Sequence, residues 1–235
     1  MIELARSSDP RVLTLLRSHT RVQTVEEGGQ GGIEFIQYGR VRSVRVNDPS
    51  AELRGLVELM DNNPLVCGDH VSVPGPTATL GLIALAPLAL AGLLTEEPTL
   101  ISNDDSDDGE LAALLAESGW PGVVIISHEV ADLGGAVAAT AMAEIANMED
   151  FEEIDALYEE RYSRSFFVHR DEDADWHVQL VLGKADAYYR LRLTPGVTNS
   201  LLTIQVMADA NGKCGAAQLV HCMNVMAGFE ESLGI

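Results

Sequence analysis

The sequence feature that most limits the fold is a proline-glycine turn that leads into a long apolar run. Residues 73–80 read Val-Pro-Gly-Pro-Thr-Ala-Thr-Leu. We predict a buried strand before this turn and a helix after it, running from Thr77 to about Gly92, where the glycine ends the helix. Backbone N–H groups at the start of a helix can bind an anion. Gly75 and Thr77 are therefore the candidate anion-binding residues of this turn.

The net charge of the chain disfavours some classes of binding partner. With 36 acidic and 15 basic residues the net charge is −21, which repels nucleic acids and anionic membrane surfaces. The most apolar run, residues 80–94, is too short to span a bilayer, and the charged start of the chain has no signal-peptide pattern. The three cysteines have no zinc-like spacing and fit a reducing compartment. We therefore expect a cytoplasmic protein that binds neither nucleic acid nor membrane.

Hydrophobic periodicity and turn residues predict helices and strands in mixed order. Helices are predicted at residues 10–18, 50–60, 77–92, 109–117, 150–162 and 214–229. Strands are predicted at residues 21–25, 33–38, 40–46, 64–73, 99–102, 123–127, 136–145, 165–169, 177–182, 187–193 and 201–208. Several antiparallel-looking strands beside helices indicate the α+β class. The glycine-rich residues 28–32 would cradle a phosphate if a helix followed them, but the strand pattern that follows favours a hairpin loop.

The turn and three later segments resemble N-acetyl-γ-glutamyl-phosphate reductases, which are acyl-phosphate reductases of the semialdehyde dehydrogenase superfamily. Their active-site segment reads Asn-Pro-Gly-Cys-Tyr-Pro-Thr-Ala-Thr, whereas here Pro74-Gly75 runs straight into Pro76-Thr77, so the nucleophilic cysteine is missing. Residues 124–140, 157–168 and 209–229 resemble, in the same order, three further family segments. These are the strands around the acid/base histidine, the helix and strand that follow, and the C-terminal helix. The resemblance covers residues 70–235 approximately.

The resemblance implies a fold with two parts. Residues 1–75, joined by the C-terminal helix 214–235, would form a reduced α/β remnant of a Rossmann domain. Residues 76–213 would form the family's dimerisation domain, with a mixed or antiparallel sheet and flanking helices. Members of the family pair through that sheet, so a homodimer or higher oligomer is expected. The family's cofactor domain opens with a glycine-rich turn, but the first glycine here is Gly28, so we expect no cofactor, with NADP(H) as the alternative.

The candidate catalytic residues are His128 and Cys214. His128 falls on the family's acid/base histidine, although without a partner cysteine it also fits an inherited core or cleft residue. Cys214 follows Lys213 at the predicted start of the last helix, where the macrodipole and a cation lower the pKa of a thiol. The simpler interpretation of Cys214 is a small buried residue. Lys213 is itself a candidate anion ligand.

Two acidic stretches contain side chains that could ligate a metal ion. Residues 169–177 contain two histidines and four carboxylates, which is enough to ligate a metal, but an exposed acidic turn between strands is the favoured interpretation. Residues 104–108 lack the spacing of an EF-hand loop and are predicted to form a solvated loop. We therefore predict no metal site.

These observations leave three hypotheses for function. The first is a degenerate relative of the reductases that acts as a binding, scaffold or partner subunit, with a protein partner and no NADPH chemistry. The second is a repurposed enzyme that acts on an acyl phosphate or related amino-acid derivative through His128 and Cys214. The third is an active NADPH-dependent semialdehyde dehydrogenase whose cofactor site has no familiar motif.

Overall fold

The N-terminal sheet is built on a strand-helix-strand unit. Strand β1 (Leu4–Ser7) is followed by helix α1 (Pro10–Ser18) and by β2 (Val25–Glu27), which pairs parallel to β1. Asp9 caps α1, and Pro10 occupies the first turn, where its missing N–H has no consequence. The computed structural model describes residues 1–106, 109–146, 151–171 and 176–235.

An antiparallel hairpin extends this sheet. It joins β3 (Ile33–Gln37) to β4 (Arg40–Val46) through Tyr38 and Gly39, whose φ angles of 51° and 73° suit a two-residue hairpin turn. Strands β5 (Leu53–Arg54) and β6 (His70–Val73) complete a mixed sheet of order β2-β1-β3-β4-β6-β5. In the sequence, helix α2 (Asn62–Cys67) lies between β5 and β6.

The second sheet contains the rest of the strands in the described residues. They are β7 (Thr99–Ser102), β8 (Ile125–His128), β9 (Ala136–Ala146), β10 (Val168–Arg170), β11 (Ala187–Thr194) and β12 (Asn199–Asp209). Their order is β10-β11-β12-β9-β7-β8, with antiparallel pairs in the centre and a parallel pair at each edge. The α+β expectation of mixed or antiparallel sheets with flanking helices is confirmed.

Each sheet has its own hydrophobic core. Helix α3 (Pro76–Leu90) packs against the second sheet together with α4 (Glu110–Glu117) and α5 (Phe151–Tyr162). Helix α6 (Ala216–Ala227) packs against the first sheet, beside α1 and α2. The division of the chain into domains 1–75 with 214–235, and 76–213, stays a prediction.

Helix α3 is buried from Thr77 to Ala89, although Pro87 lies inside it. A proline in a helix has no N–H for the carbonyl four residues earlier, which here is Ile83. The hydroxyl of Tyr162 in α5 donates to that carbonyl at 3.2 Å, and the hydroxyl of Tyr158 donates to the carbonyl of Ala84. Burial raises the pKa of both tyrosines, so both hydroxyls stay protonated and remain donors.

Three predicted elements have the wrong secondary structure, and the predicted strands 21–25 and 165–169 begin later, as β2 at Val25 and β10 at Val168. Residues 50–60 form no α-helix, because Gly55 has a φ of 140° that a helix excludes; they contain β5 and the 3₁₀ turn Val57–Leu59. The first half of the predicted strand 64–73 is helix α2, with Pro64 in the first turn, where proline is tolerated. Residues 177–182 form the 3₁₀ turn Val178–Leu180, whose neighbour Val181 is buried against Ala136 and Met207.

We predict that Tyr162→Phe lowers the free energy of unfolding by about 1–3 kcal/mol, because the buried Ile83 carbonyl loses its donor. In a Pro87→Ala background residue 87 regains an N–H that can reach this carbonyl, so the loss should shrink by about 1 kcal/mol. Urea denaturation of the four variants of this cycle measures both losses.

Tyr158→Phe is the matched control. Its acceptor, the Ala84 carbonyl, also faces the helical N–H of Leu88, so its loss should be the same with proline or alanine at position 87. An equal loss for Tyr162→Phe in both backgrounds would show that the tyrosine does not replace the missing helical bond.

Candidate functional site

The start of helix α3 already holds an anion, and that anion belongs to the chain. Gly75 precedes the helix, and its N–H donates to Oε2 of Glu110 at 2.9 Å. Glu110 is the first residue of α4 and is only 6% exposed. A carboxylate is favourable at this position because backbone N–H groups and the helix dipole stabilise negative charge. The predicted anion-binding residue Gly75 therefore binds an internal carboxylate.

Thr77, the second predicted anion-binding residue, is fully buried and is also bound within the chain. Its hydroxyl lies 2.8 Å from the backbone oxygen and 2.9 Å from Oδ2 of Asp104, and 3.3 Å from the hydroxyl of Ser102. Thr77 thus fastens the loop after β7 to the start of α3. Its side chain does not face an open cleft.

His128 lies at the end of β8, close to this turn. Its Nδ1 is 2.8 Å from the backbone oxygen of Asp104, the same oxygen that Thr77 contacts. Since a carbonyl oxygen only accepts, Nδ1 carries the hydrogen, and in the neutral ring Nε2 is left as the acceptor. The ring is exposed. The structure therefore brings Gly75, Thr77 and His128 together around the start of α3.

Cys214 reaches the same region, but as a buried thiol. It lies in the loop before α6, and its Sγ is 3.9 Å from the backbone oxygen of Pro76. Burial, assisted by the Asp104 carboxylate, raises the pKa of Cys214 far above the ordinary value of a thiol, in spite of Lys213. This corrects the expectation of a lowered pKa. The thiol is protonated at neutral pH and is not an activated nucleophile.

Lys213, the third predicted anion ligand, is paired inside the protein. Its Nζ lies 2.5 Å from Oε1 of Glu58, and both side chains are almost fully buried. His221 joins the pair, with Nδ1 3.4 Å from Nζ of Lys213 and Nε2 2.8 Å from Oε2 of Glu231. Burial alone would raise the pKa of Glu58, but the charges of Lys213 and His221 outweigh it and lower that pKa. The ammonium group is therefore not directed at a ligand.

In a Rossmann unit the turn between the first strand and the first helix binds the cofactor's phosphates, and in this chain the first strand-to-helix turn joins β1 to α1. Here Oδ1 of Asp9 accepts from the N–H of Arg11 at 2.8 Å, and the guanidinium of Arg11 pairs with the same carboxylate. Hydrogen bonds from Arg11, which outweigh burial, lower the pKa of Asp9. The N–H of Arg11 at this helix start is therefore already bound by a side chain of the protein and is not free for a phosphate.

Contacts distant in sequence were not predicted. Glu110 and Glu58 were overlooked because a lone glutamate in an acidic chain has no signal of its own. Gln218 of α6, within the segment 209–229 that resembles the family, holds the turn from the other side, since its Nε2 donates to the backbone oxygen of Pro74 at 2.8 Å.

The prediction of no metal site concerns two acidic stretches that the structure describes only in part. In residues 169–177 and 104–108, positions 172–175 and 107–108 lie outside the described residues. Within the described ranges no group of three or more histidine, cysteine or acidic side chains is placed to hold a metal ion. No helix of the described ranges is long and apolar enough to cross a membrane.

Two mixed sheets and a buried helix that starts at a proline-glycine turn define a semialdehyde dehydrogenase fold. Two crystal structures of aspartate semialdehyde dehydrogenase II from Vibrio cholerae, one complexed with ASA, are similar over 97% of this chain. The TM-scores are 0.64 for the complex and 0.65 for the other structure, at 10% and 11% identity, over 98% and 99% of those chains. At this identity the likeness establishes the fold alone.

The sequence resembles N-acetyl-γ-glutamyl-phosphate reductases, as expected. The enzyme of Corynebacterium glutamicum (strain R) is 27% identical over 198 residues, covering 71% of this chain and 56% of the enzyme. That of Marinobacter nauticus is 28% identical over 114 residues, covering 48% of this chain and 32% of the enzyme. The chain thus spans about half the length of the Corynebacterium enzyme and about a third of the length of the Marinobacter enzyme. No family model matches it.

We predict that iodoacetamide at neutral pH modifies Cys67 in the folded protein and leaves Cys214 and Cys222 unmodified. Cys67 is exposed, whereas the other two are buried, and burial raises the pKa of Cys222 to about 12. Mass spectrometry of the tryptic peptides after increasing times measures the three rates. In urea all three should react, and modification of folded Cys214 as fast as Cys67 would contradict the buried-thiol assignment.

We predict that Lys213→Met lowers the free energy of unfolding by about 3–5 kcal/mol, because the buried Glu58 loses the cation that lies 2.5 Å from its Oε1. The double variant Glu58→Gln/Lys213→Met should lose much less, since no charge is stranded. The exposed pair Arg40–Asp69 supplies the control: Arg40→Met should cost no more than about 1 kcal/mol.

The same pair should give a pH dependence. The pKa of Glu58 is lower in the folded state, so the stabilisation is present above about pH 4.3, the ordinary value for a glutamate. It is lost as the pH falls further. Denaturant titrations at several pH values should therefore show the wild type and the double variant converging in acid, and a constant difference would refute the pair's contribution.

Proposed function

We propose that this chain is a degenerate relative of N-acetyl-γ-glutamyl-phosphate reductases that has no reductase activity and acts as a binding or partner subunit. The observation that carries the proposal is the contact of Glu110 with the Gly75 N–H at 2.9 Å. In the family this turn contains the nucleophilic cysteine at the start of the helix. Here the cysteine is missing and a buried carboxylate holds the turn closed.

The first strand-to-helix turn supports the same proposal. Hydride transfer needs a nicotinamide cofactor, whose pyrophosphate normally binds at a helix start. The Asp9 carboxylate caps the start of α1 and already accepts from the Arg11 N–H, which would otherwise be available to that group. The starts of α1 and α3 are thus both bound by acidic side chains of this chain, Asp9 and Glu110.

The competing hypothesis of a repurposed enzyme needs a reactive Cys214 beside His128. His128 is well placed as a base, since its Nε2 is the free acceptor. However, a neighbouring nucleophile is needed, and the Cys214 thiol is buried with a raised pKa. The geometry therefore favours the binding subunit over the enzyme.

Assembly with a second copy is part of the proposal. Helix α3 covers one face of the second sheet, whereas Ile101, Thr140 and Met142 on the opposite face stay only partly buried. A sheet face that is partly apolar and uncovered suits pairing with another subunit.

The test is a fluorescence titration of the purified protein with NADPH and NADH, with light scattering of the same sample. We expect no saturable binding up to millimolar cofactor, because Asp9 already binds the N–H at the start of α1. We expect a mass of about 50 kDa, twice that of the 25.2 kDa chain.

Saturable NADPH binding at micromolar concentration would overturn the non-reductase proposal and revive the third hypothesis. A mass of one chain would remove the homodimer but leave the absence of cofactor binding intact. The titration therefore tests the absence of cofactor binding, and light scattering tests the homodimer, independently of each other.

A further inference from the structure

A small hollow lies at the end of strand β4 in the first sheet. Val44 is buried there with α1, α2 and α6, so the next residue, Arg45, points to the opposite face. The glycine-rich loop packs tightly against this strand: a Cβ on Gly32 would lie 2.1 Å from the Val44 oxygen. The loop and the turn after β4 enclose about 290 Å³, lined by residues 30–32 and 45–49. This volume is at the small end of ligand pockets, which have about 300–1,000 Å³.

The arginine of this hollow has no direct hydrogen-bond partner. The guanidinium of Arg45 lies 3.8 Å from Oε1 of Glu34 and 3.8 Å from Oδ2 of Asp48, and it makes no hydrogen bond with any described residue. An arginine of the same sheet, Arg6, is bonded directly to Glu26 at 2.8 Å. A gap of 3.8 Å is too long for a hydrogen bond, so the donors of Arg45 stay available to a bound group.

The Asp48 carboxylate is held away from Arg45 by the turn that follows β4. Its Oδ1 accepts from the N–H of Ser50 at 2.9 Å and from the Ser50 hydroxyl at 2.6 Å, and its own N–H donates to the Ser72 hydroxyl at 2.8 Å. The hydrogen bonds from Ser50 lower the pKa of Asp48, so this group is ionised at neutral pH. The hollow therefore has a fixed negative charge beside the arginine before any ligand binds.

The order of the charges selects the kind of ligand. Glu34, Arg45 and Asp48 form a row of negative, positive and negative charge, and their side chains are between 22% and 33% exposed. The two carboxylates repel a phosphate, which the glycine-rich loop would otherwise suit, and the guanidinium repels a simple cation. A molecule with an ammonium group and a carboxylate on one carbon atom matches both signs at once.

We propose that this hollow binds a free α-amino acid as its zwitterion. The ligand's carboxylate would accept paired hydrogen bonds from the Arg45 guanidinium, and its ammonium group would donate to Oδ2 of Asp48. The hollow is on the first sheet, whereas the proposed pairing with a second copy uses the second sheet. It shares no lining residue with the turn at Gly75 and does not depend on the function proposed for that turn.

The test is a ligand-observed NMR titration of the full chain with L-alanine, L-glutamate and L-lysine, which share the zwitterion and differ in side-chain charge. The Nα-acetyl derivative of each amino acid has no ammonium group on its α-carbon, and the α-amide of each has no α-carboxylate. We expect saturable one-site binding of at least one free amino acid, with at least tenfold weaker binding of both of its derivatives.

Two variants separate the two halves of the site. Arg45→Gln should weaken binding of the free amino acid at least tenfold and leave that of its α-amide unchanged, because the amide has no carboxylate for the guanidinium. Asp48→Asn should weaken binding of the free amino acid at least tenfold and leave that of its Nα-acetyl derivative unchanged. The matched controls, Arg40→Gln and Asp69→Asn, alter an exposed and directly bonded pair near the start of β4 and should bind as the wild type does.

Failure of all three free amino acids to saturate at tens of millimolar would overturn the proposal, as would equally tight binding of the derivatives. Equal weakening in the control variants would also overturn it, because it would indicate an effect of charge that is not specific to the hollow. Thermal unfolding of each variant verifies that it is folded.

Discussion

The rest of the structure depends on the burial of helix α3. Its residues from Thr77 to Ala89 are buried, so the second sheet, α4 and α5 must cover it on all sides. A helix that is apolar all round forms only where such cover exists. Pro87 makes the requirement stricter, because the Ile83 carbonyl needs a donor from outside the helix, and Tyr162 supplies it. The helical hydrogen bond that Pro87 removes from α3 is thus replaced by one from Tyr162, which links α5 to α3.

Burial of α3 also decides what its first turn can do. A helix start inside a protein leaves N–H groups that need an acceptor, and water cannot supply one there. Here Glu110 provides the acceptor for the Gly75 N–H at 2.9 Å. The acidic side chain that satisfies this helix start is therefore also the one that occupies the place where an external anion would bind.

Local pattern and resemblance together could predict much of the fold. Helix α1 begins and ends where its cap and proline indicate, and the turn at Gly75 and His128 lie close together as the family motif implies. Residues 50–67 were mistaken because Gly55 and Pro64 act through backbone geometry that periodicity does not report. The pairs Gly75–Glu110 and Lys213–Glu58 are 35 and 155 residues apart, so no local signal could join them.

The error over Cys214 was one of magnitude. A helix dipole stabilises a nearby charge by about 0.3–1 kcal/mol, which is less than one pKa unit. Full burial shifts a pKa by up to about 3–5 units, so burial prevails wherever a thiol is enclosed. Cys214 is only 5% exposed, and the charge of Lys213 is already balanced by Glu58. A cation beside a cysteine therefore activates it only if that cation is unpaired and the thiol is open to water, and neither condition holds here.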